Sequence, residues 1–364
     1  MREYIVNSHT INTTYWHGLD DGRLMCDLCP RHCRLKEGQR GVCFVRERRD
    51  NRVVLTSYGR SIGFCIDPIE KKPLYHFYPG SAVLSFGTAG CNLKCKFCQN
   101  WDISAAREVA SRSDDAAPET IARAASRLGC RSVAFTYNDP VVFMEYAVDT
   151  AIACHEAGIK TVAVTAGEIS PEPRRELFRH MDAANVDLKA FSERFYRDLC
   201  GGDFHAVLDT LEYLHRETDV WVELTTLLIP GENDSNKELH ELSAWVAQKL
   251  GPDTPVHFTA FHPDYKMTHL PPTPPGTLTR ARQIALANGL RHVYSGNVRD
   301  RAGATTRCTC GTELITRDWH ALTRYELTPD GRCPACGEAC AGRFDPEPGD
   351  WGGRCLPVRM SDFS

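Results

Sequence analysis

The chain has 364 residues, 42% hydrophobic and 25% charged, the balance of a globular protein with a full core. With 43 Lys and Arg against 47 Asp and Glu, the formal charge of −4 gives no electrostatic case for nucleic-acid binding. The unusual count is 17 cysteines. The start, MREYIVNSHTINTTYWHG, lacks a basic stretch followed by an apolar one, and no run is long enough for a membrane span. A reducing, cytoplasmic setting is expected, where clustered cysteines mean metal or redox chemistry rather than a disulfide framework.

Cys26, Cys29, Cys33 and Cys43 make the head cysteine-rich, Cys91, Cys95 and Cys98 stand together, and six more lie beyond residue 307. The middle alternates strands and helices. VLSF (83–86) and SVAF (132–135) predict buried strands, and 141–157 a helix that stops at Gly158. TVAVT (161–165) is β-branched, Pro171 suits a helix start, and VDLK (186–189) predicts a strand before Ser192, a potential N-cap. VWVELTTLLI (220–229) is the longest strand candidate, ended by Pro230-Gly231. Helices over about 236–249 and 277–288 flank VHFTAF (256–261), HVYSG (292–296) closes the series, and PPTPP (271–275) predicts a loop. Near-continuously apolar strands separated by helices point to a parallel α/β sheet covered on both faces. Six or seven such strands suit a full or partial barrel, with function on the loops after the strands.

Directly after the first strand comes Gly-Thr-Ala-Gly-Cys91-Asn-Leu-Lys-Cys95-Lys-Phe97-Cys98. Three thiolates at C-x3-C-x2-C on one glycine-rich loop converge on a single inorganic centre, zinc or iron–sulfur by softness. Three ligands leave one iron of a 4Fe-4S cube open to a small molecule. The alternative is a zinc site completed by a distant His or Cys.

This motif, with Phe97 before its last cysteine, resembles the signature of the radical S-adenosyl-L-methionine (SAM) superfamily. The resemblance implies a partial (β/α)6 barrel whose open iron chelates SAM. Reduction then cleaves SAM to methionine and a 5′-deoxyadenosyl radical that abstracts hydrogen from substrate. It also implies cofactor-binding roles for Phe97 and, at predicted strand ends, for Asn138 and Asp139 in TYNDP, Thr165 and Gly167 in TAGE, Asp187 and Lys189 in DLK, and His262 after VHFTAF. Tyr137-Asn138 departs from the superfamily's Gly-Gly there. The phrases CDLCPRHC, DPIEKKPLYHFYPGS, FTYNDP, LIPG and YSGN resemble most closely the AmmeMemoRadiSam-system enzymes, which are related to glycyl-radical-enzyme activases. That family is associated with Memo-like and AMMECR1-like proteins. The implied layout is a cysteine-rich N-terminal head at 1–80, a radical SAM barrel at 81–300 and a zinc-ribbon-like C-terminal tail at 301–364.

Cys26, Cys29, Cys33 and Cys43 suffice for an auxiliary metal, zinc or a second cluster, with a structural role expected. In the tail, Cys333-Pro-Ala-Cys336-Gly is a zinc knuckle, paired with Cys308-Thr-Cys310-Gly. That first half departs from CxxCG, which puts Cys308 in question and leaves Cys340 and Cys355 as substitutes. Glu70, His76 and Tyr78 are candidates for the substrate side. Cys65, Cys130, Cys154 and Cys200 read as small hydrophobes, Cys200 alone on an apparent loop.

The expected function is reductive SAM cleavage for hydrogen abstraction from an unidentified substrate, with flavodoxin or ferredoxin as reductant and neither membrane nor nucleic acid as partner. The alternatives are a glycyl-radical-enzyme activase and a non-catalytic zinc scaffold.

Overall fold

The computed structural model describes residues 9–105 and 113–363, so part of the N-terminal stretch read above for a leader lies outside it. Seven parallel strands run in chain order: β1 (Ala82–Gly87), β2 (Ser132–Phe135), β3 (Lys160–Thr165), β4 (Ala183–Asp187), β5 (Trp221–Leu228), β6 (Val256–Ala260) and β7 (Val293–Gly296). Each pairs with the next, from β1 through to β7. The intervening helices are α1 (Pro118–Arg127), α2 (Met144–Glu156), α3 (Pro171–Arg179), α4 (Phe204–Glu217), α5 (Asn236–Lys249) and α6 (Pro275–Ala287). Six βα units followed by one more strand therefore form an open, singly wound sheet. An antiparallel strand, Arg60–Pro68, pairs with β1, and Leu356–Pro357 of the tail pairs with that strand in turn. Head and tail both extend the sheet. Among the described residues, no helix is long and apolar enough to cross a membrane.

Local signals place the helices. Pro118, Pro171 and Pro275 occupy first turns, where a missing N–H is no loss. The side chain of Ser235 accepts from Glu238 N at 3.2 Å, and Asp203 accepts from His205 N and Ala206 N. The strand expected over 186–189 ends at Asp187 and begins at Ala183, because its β3 pairing runs through Ala183 to Val186. Leu188 and Lys189 are thereby freed for the loop at the strand end.

Both faces of the sheet are covered, as expected, but the helices lie on one face only. Leu84, Phe86, Val133, Phe135, Ala184, Val186, Leu224 and Phe258 share one core with the buried residues of all six helices. Sequential strand order puts every crossover on that side. The concave face is filled instead by the segment before β1: Ile69, Leu74 and Phe77 pack on Val83, Ala134, Val162 and Ala183. Polar strand residues anchor this plug. Glu223 of β5 accepts from Tyr75 N (2.9 Å) and His76 N (2.7 Å), and Asn185 of β4 donates to the Pro73 carbonyl at 2.7 Å. From the tail, Arg317 donates to the Tyr75 carbonyl at 2.7 Å.

The head is fixed to the barrel by a forked ion pair between Arg46 and Glu145 of α2, at 2.9 and 2.5 Å, with side chains 1% and 2% exposed. Removing one partner strands a buried charge, so Glu145→Ala is expected to destabilise the fold by about 3–5 kcal/mol. Denaturant midpoints would show it, and a loss under about 1 kcal/mol would contradict the burial.

Candidate active site

The loop 87–98 leaves β1 at its carboxyl end under tight backbone constraint. A Cβ at Gly87 would lie 2.5 Å from the Thr136 carbonyl. Gly90 has φ +86, and a Cβ there would sit 2.1 Å from the Cys43 carbonyl of the head. Glycine alone meets both demands. Gly90→Ala is expected to cost more than about 1 kcal/mol and to reduce the iron retained after reconstitution; unchanged iron per chain would refute this.

Asn138 staples the loop from the β2 end. Its Oδ1 accepts from Thr88 N at 2.9 Å, and its Nδ2 donates to the Gly90 carbonyl at 2.7 Å. Asp139 beside it knits β2 to β3, accepting from Thr165 Oγ1 (2.9 Å), Ala166 N (2.9 Å) and Val141 N (3.1 Å). Burial raises the Asp139 pKa against these hydrogen bonds. From the head, Arg31 donates to the Asn92 carbonyl at 3.0 Å. Phe97 is buried against Phe195, with ring centroids 5.5 Å apart.

Cys91, Cys95, Phe97 and Cys98 line a cavity of about 610 Å³ at the carboxyl ends of the strands. Asn138, Asp139, Thr165, Asp187 and Lys189 line it too, so five of the residues expected at strand ends meet the three thiols around one space. Lys189 Nζ pairs with Asp187 at 2.7 Å. Burial opposes its charge, but Asp187 and the nearby thiols push its pKa well up, so a fixed cation faces the cysteine loop. Gly167 stands beside this lining with φ +70, and His262 is exposed outside it. The histidine that β6 does present to the cavity is His257.

Further lining residues were not legible as such. Glu70, Lys71, Lys72 and Tyr75 come from the plug, and Trp319 and His320 from the tail. These last two form the turn between strands Glu313–Asp318 and Ala321–Tyr325, with Trp319 at φ +58. His320 Nδ1 is buried without a hydrogen-bond partner among the described residues. Of the substrate-side candidates only Glu70 reaches this cavity: His76 is buried at the base of the barrel, and Tyr78 is half-buried away from it. Cys200 is no loop residue. It is fully buried at the end of the turn Tyr196–Cys200, with its thiol against Cys95.

In the tail, Cys308, Cys310, Cys333 and Cys336 bring their sulfurs within 4.8 Å of one another beside a three-stranded antiparallel sheet. Cys308 thus belongs to the group. Of its proposed substitutes, Cys340 points to His76 and His292, and Cys355 to Lys71. The head thiols are neighbours, Cys26 and Cys29 buried and Cys33 and Cys43 half-buried. They form no group as tight as the tail's among the described residues.

Fold and site together define an α/β protein with a three-cysteine loop opening into a strand-end cavity. The Radical SAM superfamily profile matches residues 86–243, which span that loop and the strands through β5. The uncharacterized protein MJ0808 of Methanocaldococcus jannaschii is 40% identical over 326 residues, 89% of this chain and 97% of that protein. A 4-hydroxyphenylacetate decarboxylase activating enzyme of Clostridioides difficile is 22% identical over 176 residues, covering 46% of this chain and 55% of the enzyme. A solved domain of a pyruvate-formate lyase-activating enzyme from Bacteroides vulgatus has a TM-score of 0.41 at 19% identity, covering 46% of this chain and 99% of that domain. The chain carries the radical SAM superfamily profile over residues 86–243 and is similar to an activating enzyme over 46% of its length. That profile implies an enzyme that uses SAM and an iron–sulfur cluster.

Proposed function

We propose that the chain cleaves SAM reductively and abstracts hydrogen from a small substrate held in the 610 Å³ cavity. The observation that carries this reading is the sharing of one space by Cys91, Cys95, Cys98, the Asp187–Lys189 pair and the tail turn. Three soft thiols fit a 4Fe-4S cluster with one open iron, and that cluster with SAM supplies the hydrogen-abstracting chemistry. The chain's own residues do the rest. Asn138 and Asp139 hold the cysteine loop and the β3 loop in register through the hydrogen bonds described above. Lys189 offers a cation to a SAM carboxylate. Trp319 and His320 add tail residues to the cavity wall, and a cavity of this volume suits a small molecule better than a protein loop.

The similarity to the Clostridioides difficile activating enzyme favours a second reading, a glycyl-radical-enzyme activase. The AmmeMemoRadiSam assignment, with Memo-like and AMMECR1-like partners and a flavodoxin or ferredoxin reductant, rests on the phrases quoted above. For the tail we take zinc on Cys308, Cys310, Cys333 and Cys336, since four converging thiols fit its tetrahedral preference. The head cysteines are assigned an auxiliary metal, zinc or iron–sulfur.

The test is anaerobic reconstitution with iron and sulfide, then SAM and dithionite, with 5′-deoxyadenosine quantified by chromatography. Product formation is expected. No product, with zinc on the three-cysteine loop, would overturn the reading in favour of a zinc scaffold.

A further inference from the structure

We propose that His76, His292 and Cys340 form a second zinc site, separate from the four tail cysteines, that fastens the tail to the base of the barrel. One ligating atom from each lies within 4.8 Å of the others. The three come from distant segments: the plug, the residue before β7, and the tail beyond its last knuckle. Chain proximity therefore does not explain the meeting. His76 is 0% and His292 6% exposed, and their rings lie 4.5 Å apart.

Each histidine has a polar group beside its far nitrogen, and the near nitrogen of His292 is open, whereas that of His76 is shared with the Ala341 carbonyl, which a metal would displace. His76 Nε2 lies 2.5 Å from the Tyr294 hydroxyl, and His292 Nε2 lies 3.9 Å from the Asp253 carboxylate. On the near side, His76 Nδ1 is 4.0 Å from Cys340 Sγ, and His292 Nδ1 has no hydrogen-bond partner among the described residues. A buried imidazole nitrogen without a partner is costly, and a metal ion at this point satisfies it. Two imidazoles and a thiolate are a donor set that zinc accepts, with water as fourth ligand.

The exchange of protons is accounted for by the neighbours. Without metal, His76 Nδ1 donates to the Ala341 carbonyl at 2.6 Å, so Nε2 accepts from Tyr294. On binding, that proton moves to Nε2 and the Tyr294 oxygen accepts it. The Tyr294 hydroxyl then donates to Thr306 Oγ1, 2.8 Å away. Cys340 releases its thiol proton to solvent as the Zn–S bond forms.

The proposal is independent of the SAM chemistry and is read by metal content. Zinc per chain would be measured in the full-length native protein and in Cys340→Ser, His292→Gln, Cys333→Ser and the Cys333→Ser/Cys340→Ser double variant. Cys340→Ser and His292→Gln are each expected to lose one equivalent, Cys333→Ser a different one, and the double variant both. Equal zinc in the native chain and in folded Cys340→Ser overturns the proposal. Should the variants fail to fold, zinc-edge X-ray absorption of the native protein decides. A mixed nitrogen and sulfur shell is expected, and a shell of sulfur alone, or no zinc, overturns it.

Discussion

Alanine at any one of Cys91, Cys95 or Cys98 is expected to bring 5′-deoxyadenosine formation down to the level of an enzyme-free control and to lower the iron retained per chain. The three thiols are the soft donors lining the strand-end cavity, together with Lys189, Asp187 and the β2 and β3 loops. Two remaining thiolates would leave a cluster short of ligands, since Cys200, the other thiol near the loop, is fully buried against Cys95 and does not line the cavity. The loop itself stays in place, because Asn138 and Arg31 hold it through backbone atoms of Thr88, Gly90 and Asn92. The loss is thus of ligation and not of fold, and circular dichroism and the thermal midpoint would separate the two. Cys154, buried among the helices on the convex side, is the control, and Cys154→Ala keeps both iron and product. Full product from a Cys95→Ala variant would mean that the head cysteines, not this loop, carry the chemistry.

Most of the barrel was legible because its signals are local. The helix expected over about 236–249 is Asn236–Lys249 in the structure, where Ser235 caps it. The three-cysteine loop was legible for the same reason, since all its donors lie within eight residues. What escaped the sequence depends on the two faces of each strand. Asn185, Glu223 and His257 sit inside apolar runs, and nothing local says that these runs alternate between a helix-covered face and a plugged one. Long-range partners were equally hidden. His76 lies at the base of the barrel and not among the residues lining the cavity, Cys200 lies against Cys95, and a tail turn supplies Trp319 and His320 to the cavity. The departure at Cys308-Thr-Cys310 argued against a ligand on spacing alone. A hairpin restores the convergence by bringing Cys308 within 3.5 Å of Cys336.

Glu223→Leu is expected to lower folding stability by about 3–5 kcal/mol, the range for breaking a buried charged network. The carboxylate, 0% exposed, is the one acceptor shared by Tyr75 N, His76 N, His257 Nε2 (2.7 Å) and Trp221 Nε1 (3.0 Å). Leucine fills the volume but leaves all four donors facing an apolar side chain, each at a cost of about 1–3 kcal/mol before relaxation. Two of those donors are backbone amides of the plug, whose neighbours Lys72, Pro73 and Tyr75 wall the cavity. The variant should therefore lose 5′-deoxyadenosine formation more steeply with temperature than the native protein does. A pH signature accompanies this. Burial alone would raise the Glu223 pKa, but the hydrogen bond and charge of His257 outweigh it and hold the group at about 2, below its ordinary 4.5. A depressed carboxylate stabilises the fold above the unfolded value and loses that contribution as pH falls from about 4.5 toward 2. Native stability should drop across that window, and the drop should be shallower in Glu223→Leu. Parallel pH curves for the two proteins, or a stability loss under about 1 kcal/mol, would show that the plug is held by its apolar contacts and not by this carboxylate.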